Sequence, residues 1–251
     1  MKYNKILLAG LFTLGGLPAA HAGLISSELP VPSLSAAISV NGTSSTLSLN
    51  TAGQTVDLGG GTGQFMGATS NNNFNFGWTL TANADPFIAG NITFTNNTSV
   101  DQTFNIVLTL PTALISGPVQ ETGELGLTIK DADRDGTANL TLSQWHGLIN
   151  PLTPPPILDM PLLLGTSYFC ATPGCTTTQT PVSRTQLHSE VDHNGNAISS
   201  IGTHINFSLS AGDSVSIDTR WNVSPVPVPA AVWLFGSGLL GLLATARRQR
   251  K

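Results

Sequence analysis

The chain has 251 residues, with ten Lys and Arg against fourteen Asp and Glu, and only two Cys. Six of the basic residues (Lys2, Lys5, Arg247, Arg248, Arg250, Lys251) lie at the two ends and every acid lies between them, so the body carries four basic residues and a net charge of −10. That balance excludes nucleic acid and anionic membrane surfaces as partners of the body and favours cations. Low charge with abundant Gly, Ser, Thr and Asn points to an exported β-protein rather than a cytosolic enzyme.

Residues 1–22 read as a secretory signal. Lys2 and Lys5 precede an apolar run from Ile6 to Leu17, and Ala20-His21-Ala22 offers the small side chains of a cleavage site, which makes Gly23 the expected mature start. The apolar run is too short to suit a first membrane anchor. Residues 23–224, about 200 in all, suit a single exported domain with a sizeable core.

Within that body the apolar residues recur at period two and almost nowhere at 3.6. Weak runs at Ala36 to Val40 and Thr46 to Leu49 lead through a Gly-rich connection, Gly59 to Gly63, to the clearest half-buried strand. There Phe74, Phe76, Trp78, Leu80 and Ala82 alternate with polar or small residues. Ile88, Ile92 and Phe94 continue the pattern, Asn96-Asn97 make a turn, and Phe104, Ile106, Leu108 and Leu110 repeat it up to Pro111. These three strands are expected to form an antiparallel meander. Leu125, Leu127 and Ile129, Leu140 and Leu142, Ile205 to Leu209, and Val215 to Val223 follow. Eight or more short strands with turn signals between them predict an all-β fold, an antiparallel β-sandwich of jelly-roll or Ig-like type.

Asn150 to Pro161 (NPLTPPPILDMP) is too Pro-rich for a central strand and reads as a long loop. Tyr168-Phe169-Cys170 reads as irregular chain leading into a Pro173-Gly174 turn. Cys170 and Cys175 are the only cysteines of an exported chain and are expected to form a disulfide that pins this turn. A redox pair would need two intervening residues and a helix start.

The sharpest chemical motif is Asp131-Ala-Asp133-Arg-Asp135-Gly136-Thr137-Ala-Asn139. Carboxylates at alternate positions before a Gly, with Thr137 and Asn139 as further oxygen donors, match the first half of an EF-hand-type calcium loop. The twelfth position is Leu142 in place of a bidentate Glu, so Glu121, Glu124 or Asp159 would have to close the shell. The same residues equally suit an Asp/Gly turn between strands ending at Lys130 and starting at Ala138. A second cluster, His188, Glu190 and Asp192, would share one strand face and admit a transition metal, although the following Asn194-Gly195-Asn196 is hairpin material beside which polar residues ordinarily face solvent.

No nucleophile elbow, HExxH helix, phosphate loop or dinucleotide fingerprint is present, and the four glutamates sit beside no cluster of aromatics. The body is therefore expected not to be an enzyme, with a secreted hydrolase as the least favoured alternative. Trp145 and Tyr168, read as loop residues, are the candidates for a sugar-binding platform, and Trp78 and Trp221 are assigned to the core.

The last stretch has three parts in order. Pro225-Val226-Pro227-Val228-Pro229 keeps the approach extended, residues 230–246 (AAVWLFGSGLLGLLATA) are uncharged and reach about 25 Å as a helix, and residues 247–251 (RRQRK) form a basic stop. The positive-inside bias puts that stop in the cytoplasm and the body outside. This order resembles the PEP-CTERM sorting signal of Gram-negative bacteria, with Val228 where the middle residue is ordinarily Glu. The resemblance implies recognition by an exosortase, a membrane cysteine protease-transpeptidase, with Pro227, Val228, Pro229, Arg247 and Arg248 as its sorting determinants. It also implies association with extracellular polysaccharide after passage through the inner membrane. A plain tail anchor is the alternative. The resulting expectation is an exported, non-catalytic surface or exopolysaccharide-matrix protein, with a calcium-assisted carbohydrate-binding module as the alternative.

Overall fold

The computed structural model describes residues 30–115, 118–150, 166–188 and 197–226. They form thirteen strands and one short helix: β1 (Ser35–Val40), β2 (Thr43–Ser48), α1 (Leu49–Ala52), β3 (Gln54–Gly59), β4 (Thr62–Ser70), β5 (Phe74–Asn83), β6 (Phe87–Asn96), β7 (Gln102–Ile115), β8 (Val119–Lys130), β9 (Ala138–Ile149), β10 (Thr166–Cys170), β11 (Thr176–His188), β12 (Ile198–Leu209) and β13 (Ser214–Pro225). Two antiparallel sheets result, one of six strands in the order β10-β9-β12-β7-β1-β2 and one of seven in the order β11-β8-β13-β6-β5-β4-β3. The all-β, antiparallel sandwich is as expected. No helix among the described residues is long and apolar enough to cross a membrane. The signal peptide, the sorting motif from Pro227 onward, the membrane helix and the basic stop all fall outside the described residues, as does the Pro-rich segment after Asn150.

The period-two pattern becomes a two-sided sandwich because each strand buries alternate residues against the opposite sheet. Along β5, Phe74, Phe76, Trp78, Leu80 and Ala82 are all buried. Phe94 of the seven-stranded sheet meets Phe104 and Phe207 of the other, with ring centroids 5.2 and 5.6 Å apart. Edge-on and tilted pairs of this kind add about 0.5–1.5 kcal/mol each beyond the area they bury. A second aromatic centre pairs Trp145 with Trp221 across the sheets at 6.3 Å, and Trp145 Nε1 donates to Thr219 Oγ1 at 3.1 Å. Gly147 leaves room for the Trp221 indole, since a Cβ there would lie 2.1 Å from ring carbons.

Several local expectations need correction. β5 and β6 pair as a hairpin, but β7 belongs to the other sheet, so the expected three-stranded meander is a hairpin followed by a crossover. β7 also runs through Pro111. This is tolerated because the β1 register ends at Thr109, and beyond it β7 is paired on the β12 side alone. Tyr168 to Cys170 is strand β10, not irregular chain, paired with β9.

The sandwich has two distinct ends. Pro30, the Asn83 to Pro86 turn, Ala113 to Ile115 and Pro225 line one groove of about 620 Å³, so the first described residue, Pro30, and Pro225 lie at the same end. The turns after β8 and β12 lie at the other end, twelve residues of β13 or about 40 Å away.

Candidate metal centre

Both of those turns are crossings between the sheets and not hairpins. The Asp131 loop carries the chain from β8 in the seven-stranded sheet to β9 in the six-stranded one, and Ser210 to Asp213 carries it from β12 back to β13. Because Lys130 is paired with Ser214, the residues just beyond the paired ends, Asp131 and Asp213, are forced side by side. Asp133 completes the group, and one carboxylate oxygen from each of the three lies within 4.8 Å of the others. Asp131 and Asp213 are buried and Asp133 is exposed. Gly212, at φ 71°, allows the close approach, since a Cβ there would lie 2.2 Å from Asp133 Oδ2.

The loop geometry accounts for most of the oxygens. Asp131 Oδ1 accepts from the Arg134 N–H at 2.8 Å, and its Oδ2 accepts from Gly136 at 3.1 Å and Gly174 at 2.8 Å. Asp133 Oδ1 accepts from the Asp135 N–H at 3.0 Å. Asp213 Oδ1 accepts from the Ala132 N–H at 3.2 Å and Oδ2 from the Ser210 hydroxyl. Gly136 at φ 100° supplies the sharp turn that the motif requires. With about four acceptor sites per carboxylate, Asp131 keeps one open, Asp213 two and Asp133 three.

The electrostatics of the three differ. Burial works against the charged form of Asp131, but the N–H groups of Gly174, Gly136 and Arg134 outweigh it and hold the carboxyl below its ordinary range. For Asp213 burial dominates and pushes the carboxyl up; the Ser210 and Ala132 hydrogen bonds oppose this, and the charges of Asp133 and Asp131 reinforce it. The cage without a cation is therefore under electrostatic load, and a proton or a cation at Asp213 relieves it.

Of the expected ligands, then, Asp131 and Asp133 come together. Asp135 is turned outward, where its Oδ1 takes the Thr137 N–H at 2.8 Å and hydroxyl at 3.0 Å. Asn139 is exposed on β9 and engages Ser210 through its backbone. Leu142, at the twelfth position, is in the core. Neither proposed glutamate closes the shell: Glu121 lies ten residues before Asp131 along β8, about 30 Å away, and accepts from Gln186 Nε2 at 3.2 Å. Glu124 lines a separate cavity of about 210 Å³ with Asp218 and Arg220. Asp159 lies outside the described residues. Asp213 was not anticipated, and the only local signal was the Gly212-Asp213 turn ahead of the alternating run Val215, Ile217, Thr219.

The Cys170–Cys175 disulfide is formed, with Cα atoms 6.0 Å apart. Its turn delivers the Gly174 N–H to Asp131, and the Asp131 N–H bonds the Cys175 carbonyl at 3.1 Å, so the bridge braces the Asp loop. His188 ends β11, whereas Glu190 and Asp192 lie outside the described residues. The sugar platform is corrected: Trp145 and Tyr168 are both buried, on β9 and β10, and neither is a loop residue. Trp78 and Trp221 are in the core, as expected.

No protein-family model and no curated protein sequence matches the chain. Solved structures give distant matches. One is Xylanase10C from Cellvibrio japonicus in complex with xylopentaose, at 13% identity and TM-score 0.24, covering 69% of this chain and 29% of that one. Another is TmCBM61 in complex with beta-1,4-galactotriose, at 11% identity and TM-score 0.23, covering 65% and 88%. The chain thus spans less than a third of the xylanase.

Proposed function

We propose that this chain is an exported, non-catalytic β-sandwich of the cell surface or exopolysaccharide matrix, released from the inner membrane by an exosortase acting on its C-terminal signal. The observation that carries the reading is the ordered tail: Pro227-Val228-Pro229, the uncharged stretch 230–246, and Arg247 to Lys251. The position of Pro225 at the end opposite the Asp loop supports it, because a body tethered there presents its acidic end away from the membrane. Calcium held by Asp131, Asp133 and Asp213 would rigidify that outer end. With one oxygen from each, the three carboxylates supply three of the six to eight oxygens calcium takes, which leaves positions for water or for oxygens of an extracellular polysaccharide.

The test is the intact mass, with terminal peptides, of the protein recovered from its native cells with and without a working exosortase. A mature chain from Gly23 that ends near Pro229 only when the exosortase works is the expected result. A chain that keeps Arg247 to Lys251 in both strains would make it a simple tail-anchored protein.

A further inference from the structure

His146 on β9 and His204 on β12 stand directly opposite each other in the six-stranded sheet. Their paired neighbours Trp145 and Ile205 point into the core, so both imidazoles lie on the sheet's outer face. The rings stack with centroids 6.0 Å apart and 30° between planes. His146 is only 4% exposed, and neither of its nitrogens has a hydrogen-bond partner. A neutral imidazole carries one N–H and one lone pair, so both are unmet there. His204 is partly exposed, and its Nε2 lies 2.9 Å from Asn105 Oδ1. The amide oxygen can only accept, so Nε2 bears the proton and Nδ1 keeps a lone pair.

We propose that His146 and His204 form a cross-strand binding site for a borderline divalent transition metal, with Cu²⁺ preferred over Zn²⁺ or Ni²⁺. The site is independent of the Asp cage, whose hard oxygens suit calcium, and it does not depend on how the tail is processed. Imidazole nitrogen suits Cu, Zn and Ni, and the Irving–Williams order places Cu²⁺ first. Burial pushes both imidazoles below their ordinary range, and at His146 the neighbouring His204 adds to it. Strands β7, β9 and β12 contain no Lys, Arg, Asp or Glu, so no fixed charge on this part of the sheet repels a cation. At metal–nitrogen distances of about 2.0–2.1 Å, two imidazoles in adjacent positions on one tetragonal or tetrahedral ion have centroids about 4.5–5 Å apart. The observed 6.0 Å is closed by small changes in χ1, with χ2 turning the nitrogens toward the ion. The facing pair Gln144 and Asn206 offers amide oxygens for remaining positions.

The test uses the full-length protein, stripped with chelator and titrated with Cu²⁺ and separately with Zn²⁺ by calorimetry, with electron paramagnetic resonance on the copper form. Expected are one high-affinity Cu²⁺ per chain, coupling to two imidazole nitrogens, and an affinity loss of at least about tenfold in His146→Phe and in His204→Gln. A His188→Ala/His193→Ala double variant should bind as the parent does. Unchanged affinity in both His146→Phe and His204→Gln, coupling to fewer than two imidazoles, or loss in the His188/His193 variant would each overturn the proposal. Asn105→Ala guards against misfolding, because it leaves both histidines in place and frees Nε2; it should bind as tightly or more tightly. Abolished binding in a normally melting Asn105→Ala would overturn the site as well.

Discussion

Removing one carboxylate from the Asp cage is expected to abolish a calcium-dependent rise in melting temperature. Asp133 keeps the most acceptor capacity and Asp213 carries the electrostatic load, so Asp133→Asn and Asp213→Asn are the informative changes. With three carboxylates and no dedicated bidentate Glu, the affinity belongs to the weak range of extracellular modules, a Kd of about 10⁻⁴–10⁻³ M. At 10 mM calcium the ratio of ligand to Kd is about 10–100, which stabilises the folded state by about 1.4–2.7 kcal/mol. For a domain of about 200 residues each kcal/mol moves Tm by roughly 2–4 °C, so the wild type should gain roughly 3–10 °C between EDTA and calcium. Differential scanning calorimetry of the full-length protein reads this directly. Both variants should lose most of the gain, and Asp213→Asn should melt no lower than wild type in EDTA because it removes a charge the fold disfavours. Equal melting of the wild type with and without calcium, or a full shift retained in both variants, would rule out calcium binding by the Asp cage.

The same residues set a pH dependence. The folded carboxyl of Asp213 is raised, so in EDTA its contribution should grow more favourable as pH falls from neutrality toward and through that raised value, while the calcium-induced shift shrinks. Asp131 has the opposite sign: its stabilisation is complete above the ordinary value of 3.8 and is lost as pH falls through the lowered folded value. The difference in Tm between wild type and Asp213→Asn across pH 7.5 to 3 isolates the Asp213 part. Gly147→Ala should destabilise by about 1–3 kcal/mol in chemical denaturation, because its Cβ would overlap the Trp221 ring; an unchanged midpoint would show that the indole can move aside. Replacing Cys170 and Cys175 together by Ser should cost about 2 kcal/mol on the loop-entropy estimate and also weaken the calcium shift, since Gly174 is no longer held against Asp131. Loss of stability with an intact calcium shift would separate the two effects.

Fold class, most of the core and the disulfide were legible in the residues alone. Alternation at Phe74 to Ala82, Phe104 to Leu110 and Val215 to Val223 is a local signal, because each strand's two faces are written in consecutive residues. Features that depend on strands distant in the chain emerge only once the two sheets are assembled. The break of alternation at Ser143, where the β9–β12 register shifts, turns Trp145 inward and His146 outward. An apparent loop tryptophan thereby becomes core, and an inconspicuous histidine is placed opposite His204. The Asp loop was legible as a half-motif, but its third carboxylate was not. Asp213 is 82 residues beyond Asp131 and reaches it because the register Lys130↔Ser214 brings two inter-sheet crossings to the same end of the sandwich. Strand pairing is fixed by packing summed over two whole sheets, so no window of sequence contains it.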